Sequence, residues 1–195
     1  APIQEQTAQV SDIVVTGSRI TRQDYQSASP IVTVDQQDFQ ATGAVTIDAL
    51  VNDLPQFVPS INQTSNNPSN GGQANVNLRG LGTNRTLVLV NGRRVVSPNA
   101  TGAVDLNILP TALIRNVEVI SGGASAAYGS DAVAGVANFI LDDQFQGVRM
   151  DAQYGITDRD DGATESYSVA IGGNFDEGRG NAVFSIGRST REQIF

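Results

Sequence analysis

Hydrophobic positions along the chain change their spacing in a way that divides it. Residues 1–11 are polar and Gln-rich with no period, which predicts a disordered tail. Asp12-Ile13-Val14-Val15-Thr16-Gly17 is a short β-branched island, followed by polar linker over residues 18–29. Compact structure is expected from Pro30, with Ile31-Val32-Thr33-Val34 reading as a strand that Asp35 stops. Thr46 stands where it can cap a helix carrying Ile47, Leu50, Val51 and Leu54, closed by Pro55. Residues 62–72 have almost no apolar surface and predict a long loop, a class that is functional or disordered in compact domains.

Residues 74–82 alternate through Val76 and Leu78 before meeting the glycines of Leu78-Arg79-Gly80-Leu81-Gly82, and a hairpin signal follows. Thr86-Leu87-Val88-Leu89-Val90 and Arg93-Arg94-Val95-Val96 flank Asn91-Gly92, a pair suited to the positive φ values of a type I′ turn. A dinucleotide-binding glycine fingerprint is the rival reading of Gly80 and Gly82, but no helical pattern follows them. Residues 97–102 predict a second polar loop. A short helical turn is expected over Leu109, Pro110 and residues 112–115, then a strand over 117–120, a one-turn helix over 125–128 and an apolar strand over 136–141.

Beyond Phe145 the period becomes two. Val148, Met150, Ala152, Tyr154 and Ile156 fall on one face, as do Tyr167, Val169, Ile171, Gly173 and Phe175, and then Ala182, Phe184 and Ile186. Alternate positions are polar or small. Outer-membrane barrel strands alternate this way, and so does a soluble antiparallel sheet.

Composition narrows the possibilities. The net charge of −8 opposes nucleic-acid binding, which needs basic patches. Neither Cys nor His is present, which excludes a disulfide scaffold and a thiolate nucleophile and removes the commonest general base. No catalytic residue, cofactor or metal site is therefore expected. The acidic residues Asp151, Asp158, Asp160, Asp161 and Glu165 fit no EF-hand spacing and read as a solvated loop. No apolar run approaches the ~18 residues of a membrane-spanning helix, so any membrane crossing would use strands. Ala1-Pro2-Ile3, without Met or a basic segment, reads as the start of a mature exported protein or as an artificial boundary.

Residues 113–141, from Leu-Ile-Arg-Asn-Val-Glu-Val-Ile-Ser-Gly-Gly through Ala-Ser-Ala-Ala-Tyr-Gly-Ser-Asp-Ala to Gly-Val-Ala-Asn-Phe-Ile-Leu, resemble the end of the plug domain of TonB-dependent outer-membrane transporters. Leu78-Arg79-Gly80 and Leu87-Val88-Leu89-Val90-Asn91-Gly92 resemble further blocks of that family, with Asn91 where Asp is common. Two departures occur in the long block: Ser121-Gly122-Gly123-Ala124 replaces an Arg-Gly-Pro form, and Phe139-Ile140-Leu141 follows Asn138 instead of Ile-Ile. The resemblance covers about residues 12–195.

The resemblance implies an α+β plug over 30–145, built from a small mixed β-sheet with short helices. Residues 146–195 are then the first three antiparallel strands of a transmembrane β-barrel of about 22 strands. A second polypeptide, from proteolysis or a split gene, is expected to supply the remaining strands. It also implies that residues 12–17 (Asp12, Ile13, Val14, Val15, Thr16, Gly17) are the TonB box, grasped by the periplasmic protein TonB through strand addition. A plug-edge strand is the competing reading of that island.

Arg79 and Glu118 are implied plug–barrel contacts, whereas Arg115 reads as an exposed charge. Asn66, Asn67, Asn70, Ser97 and Asn99 are placed in loops facing the ligand. The expected function is energy-coupled import of a siderophore, cobalamin or oligosaccharide, without enzymatic chemistry, at the outer membrane with tail and plug on the periplasmic side. Partners are TonB, membrane lipid, the remaining barrel and the ligand. A passive structural or adhesive barrel sealed by a plug is the alternative, and it would have no use for an exposed box.

Overall fold

The computed structural model describes residues 31–35, 46–60, 72–98, 100–122, 124–175 and 179–192. Residues 12–17 and Asn66, Asn67, Asn70 and Asn99 lie outside them. Two sheets are present, of five and three strands.

The larger sheet has the order β1 (Ile31–Asp35), β4 (Ile114–Ile120), β5 (Gly135–Leu141), β2 (Thr86–Val90) and β3 (Arg93–Arg94). It is mixed: β2 and β5 run parallel, while β1–β4, β4–β5 and β2–β3 are antiparallel. Strand alternation divides its side chains between two cores. Val88, Val117, Val119, Ala137 and Phe139 face helix α1 (Ile47–Asp53) and the segment carrying Val76, Leu78, Leu106 and Leu109. Leu87, Leu89, Ile120 and Val136 face Ala124, Ala132 and Tyr128, around the short helix α2 (Ser125–Tyr128).

The hairpin turn forms as expected, with φ of 48° at Asn91 and 73° at Gly92. Asn91 does more than turn the chain: its Oδ1 accepts from Leu141 N–H, and its own N–H donates to Phe139 O. Gly92 N–H donates to Asn138 Oδ1, so the hairpin is tied to β5 from both turn residues. The second strand is shorter than the pattern implied, pairing only at Arg93 and Arg94. Arg94 leaves the sheet edge to meet Asp131 Oδ2 at 2.5 Å and also donates to Tyr128 O. Both partners of this ion pair are about half exposed (48% and 55%), so solvent screens it. Arg94→Ala should lower unfolding free energy by at most ~1 kcal/mol. A shift well above that in a urea titration would show that the Tyr128 carbonyl bond carries the site.

Two other expectations are modified. Thr46 occupies the N-cap of α1 but makes no side-chain capping bond. Residues 74–82 form no ladder, although Val76 and Leu78 are buried; an isolated bridge joins Leu78 to Phe57. The alternation there serves packing under β2, with Leu78 N–H bonded to Thr86 Oγ1.

The smaller sheet is the antiparallel meander β6 (Gly147–Gly155), β7 (Thr164–Phe175) and β8 (Gly180–Arg191). One face is apolar and open, including Met150 (74% exposed), Phe184 (64%) and Tyr154 (63%). The opposite face carries Arg149, Ser168, Ala170 and Gly172, and faces the larger sheet's domain. Apolar exposure on this scale marks a surface for lipid or a partner. Among the described residues no helix is long and apolar enough to cross a membrane.

Candidate functional site

Three places combine position with chemistry. The first is a junction between the two polar loop regions. Ala74 N–H donates to Asp105 Oδ1 at 3.0 Å and Leu106 N–H to Ala74 O at 2.8 Å. Asn75 Nδ2 donates to Val104 O at 2.8 Å, and Asn107 Nδ2 to Gly72 O at 3.0 Å. These bonds clamp the end of the 62–72 stretch against residues 104–107. Ser97 belongs to the same cluster, its hydroxyl donating to Ala103 O at 2.8 Å. Residues 72–75 and 104–107, some thirty positions apart in sequence, are thus tied together. The buried Val104 carbonyl needs such a partner, and the Asn75 side-chain amide supplies it.

The second place is the seam between the two sheets, which the sequence reading did not single out. Phe145 is 9% exposed and packs with Ala112, Leu113 and Ala170, with Val183 beside them. Arg149 Nη1 donates to Ala112 O at 2.8 Å, while its guanidinium carbon lies 4.9 Å from the Phe145 ring centroid. Asn181 Nδ2 donates to Phe145 O at 3.2 Å, and Asp142 N–H to Leu113 O at 2.8 Å. The seam therefore joins the linker after β5, the turn Thr111–Leu113 and the inner faces of all three wall strands. One signal was available: Phe145 is a lone aromatic in Asp-Asp-Gln-Phe-Gln, where a polar linker has no reason for one.

Above this seam lies the third feature, a cleft of about 470 Å³. It is bounded by the start of α1, by residues 106–112, and by β7 and β8 at residues 166–168 and 185–189.

Arg79 and Glu118 lie in the domain of the larger sheet. Arg79 holds φ of 55°, a backbone conformation that non-glycine residues seldom adopt, and its Nη2 donates to Val133 O at 3.4 Å. Glu118 is 3% exposed in the centre of the larger sheet, where Asn138 Nδ2 donates to its Oε2 at 3.4 Å. Its register partners are Thr33 and Asn138, so its side chain is engaged inside the sheet domain. Arg115 is exposed, and its Nε donates to Asn116 Oδ1 at 3.4 Å. No group of three or more acidic residues able to hold a metal occurs among the described residues.

The family model of the TonB-dependent receptor plug domain matches residues 6–136. The chain belongs to the TonB-dependent receptor plug family. Its fold is similar to the siderophore receptor PirA from Pseudomonas aeruginosa, with a TM-score of 0.62 at 22% identity over 86% of this chain and 30% of that one. PirA from Acinetobacter baumannii gives 0.62 at 21% identity, covering 82% of this chain and 24% of that one. The ferric citrate transporter FecA in its unliganded form gives 0.64 at 26% identity, over 85% of this chain and 26% of that one. The chain thus spans less than a third of the length of each receptor. The five-stranded mixed sheet is its plug, and β6–β8 are antiparallel strands consistent with the start of a barrel wall.

Proposed function

We propose that this chain is the gating plug, with its first wall strands, of a receptor that imports a scarce nutrient across the bacterial outer membrane using energy delivered by TonB. The observation that carries the reading is the plug sheet bolted through Phe145 and Arg149 to strands whose other face is open and apolar. Such a face suits hydrocarbon, and a plug fixed to its inner side suits a gate. Nothing in this role requires bond chemistry, so the protein acts as a transporter and not as an enzyme.

The edges of the wall support a larger assembly. β6 and β8 each pair with β7 alone among the described residues. Unpaired strand edges are not tolerated in hydrocarbon, and closure needs at least ~8 strands. Further strands, on this polypeptide or another, complete the barrel against β6 and β8. In this assembly the tail and plug face the periplasm, the connection between β6 and β7 faces outward, and the short connection between β7 and β8 faces inward.

Arg79 is the plug group we assign to the missing wall. An arginine held at φ of 55° with only a long carbonyl bond presents its charge outward, where a wall carboxylate would match it. Glu118 supports the same plug from inside through Asn138. Ser97, with Asn66, Asn67, Asn70 and Asn99, is assigned to the ligand-facing surface.

Residues 12–17 are the segment TonB grips. An extended β-branched peptide adds to a partner's sheet edge through main-chain bonds of ~0.5–1.5 kcal/mol net each, enough for a transient hold. Deleting residues 12–17 from the full-length receptor should leave equilibrium ligand binding intact and abolish energy-dependent uptake into cells. Uptake that continues at the parental rate would overturn the coupled-transport reading and favour a passive, sealed barrel.

A further inference from the structure

We propose that the flank of helix α1 holds a hard, oxygen-seeking cation of the Ca²⁺ class on Asp48 and Asn52, with Gln56 as a third protein ligand. The site is independent of the transport reading above. Asp48 is 5% exposed, as deeply buried as its core neighbour Ile47. Its Oδ1 meets no hydrogen-bond donor, and no ion pair among the described residues includes it. A carboxylate taken out of water this far needs an opposing charge. Asp48 does not stand alone. Four buried side-chain oxygens lack a donor among the described residues, and three of them belong to Asp48, Asn52 and Gln56. The fourth, on Asn181, lies in the seam.

Helix spacing brings the first two together. Residues four apart share one side of a helix, with Cβ atoms about 5–6 Å apart, so Asp48 and Asn52 sit one above the other. Ile47, Leu50 and Val51 fill the neighbouring face against the core, while Ala49 and Asp53 are exposed. The chain leaves the helix at Leu54, and Phe57 N–H donates to Leu54 O at 3.0 Å, which holds Gln56 in a turn at the helix end. Gln56 is fixed there by its carbonyl, which accepts from Arg79 N–H at 2.8 Å. The Arg79 guanidinium is engaged elsewhere, at Val133 O. Every orphaned atom is thus an acceptor, and one carries a full charge. A water brings two protons to three acceptors and leaves that charge standing. Carboxylate and amide oxygens are the ligands of Ca²⁺, which takes about six to eight in flexible geometry and fills the remainder with water. Mg²⁺ demands a near-ideal octahedron, and thiolate- or imidazole-seeking metals find neither group in this chain. A single carboxylate sets the affinity at the weak end, a Kd of about 10⁻⁴–10⁻³ M. It also explains why no cluster of acidic residues marks the place. The cleft beside α1 reaches Thr46 and Ile47, adjacent in sequence to Asp48, and gives the ion an approach from solvent. Bound there, it would fasten α1 over the core that Ile47, Leu50 and Val51 help to close.

The test is urea unfolding and amide exchange of the purified full-length receptor, in EGTA and in about 10 mM Ca²⁺ at matched ionic strength. Ca²⁺ should slow exchange in α1 and shift the plug's folding equilibrium about tenfold, the effect of a ligand at ten times its Kd. Asp48→Asn should abolish that gain. It should leave the metal-free plug no less stable, because an uncharged amide of the same shape replaces an unpaired carboxylate. A carboxylate with a purely structural role gives the opposite pattern: loss of stability in EGTA with the Ca²⁺ gain intact. Asn52→Asp adds a second charge and should lower the half-effective Ca²⁺ concentration about tenfold, a readout that survives if Asp48→Asn does not assemble. Asp53→Asn, on the exposed side of the helix, should change nothing. No Ca²⁺ gain in the parent, or a gain that neither Asp48→Asn nor Asn52→Asp alters, would overturn the site. An equal gain from Na⁺ or Mg²⁺ would reduce it to general screening and overturn it as well.

Discussion

Gly135→Ala should prevent the plug from folding stably, at a cost of about 4 kcal/mol or more. Gly135 opens β5, the strand shared by the parallel β2 ladder and the antiparallel β4 ladder. Its φ of 139° is a conformation that L side chains rarely adopt. A Cβ at this position would overlap the carbonyl oxygen of Ile120 and Leu78 Cδ2. Leu78 has somewhere to give only by leaving the core, where it is fully buried. The Ile120 carbonyl cannot move without opening the β4–β5 pairing at Val136. Strain and overlap each cost ~1–3 kcal/mol, and they act together. Because a domain's total stability is ~5–15 kcal/mol, a loss of this size removes much of it. The check is urea unfolding and amide exchange of the full-length receptor. A midpoint shifted by under ~1 kcal/mol would mean that the close approach of β4 to β5 is not required. Gly92→Ala, where an added Cβ meets nothing within 4 Å, is the control for left-handed strain alone.

Phe145→Ala should uncouple the plug from the wall at a cost of about 3–4 kcal/mol, without melting either sheet. Its ring fills the space among Ala112, Leu113, Ala170 and Val183, and it supports the Arg149 guanidinium at 4.9 Å. Removing it leaves a cavity at the place where the two sheets touch, and takes away a cation–π contact of ~0.5–1 kcal/mol or more. Gly172→Ala tests the same joint from the other side, since an added Cβ there would overlap Phe145 O. Both variants should keep the heat-modifiable migration of the assembled barrel while exposing the plug to protease at lower urea than the parent. A plug released no more easily than in the parent would show that other wall contacts hold it. Arg149→Leu, which keeps the aliphatic packing and loses the bond to Ala112 O, should give an intermediate release.

These two predictions also separate what was legible in the sequence from what was not. Local rules located the elements well. The Asn91-Gly92 turn, the 125–128 helical turn, and strands at 31–34, 117–120 and 136–141 follow from φ preferences and β-branched runs that act over a few residues, although β4 begins already at Ile114, inside the stretch expected as a helical turn. The period-two alternation after Phe145 likewise named the open apolar faces of β6–β8, because side chains of successive strand residues must point to opposite sides. The motif blocks named the plug family.

What only the tertiary structure decided lies in contacts between distant segments. Alternation in 74–82 marked burial at Val76 and Leu78 but could not tell a ladder from a packed irregular segment, because partner strands are not local information. Thr46 had the right position and extended backbone for a cap, and makes no side-chain capping bond. Register between β1, β4 and β5, which no local pattern supplies, buries Glu118 beside Asn138. The joint at Phe145 needs residues 112, 149, 172 and 181 at one point, and no periodicity brings those together. The sequence by itself determined the strands, the turns and the two-sided character of the wall, because these depend on neighbours within a few residues. Which charges are used up internally and where the plug is fastened depend on long-range packing, and the fold alone assigns them.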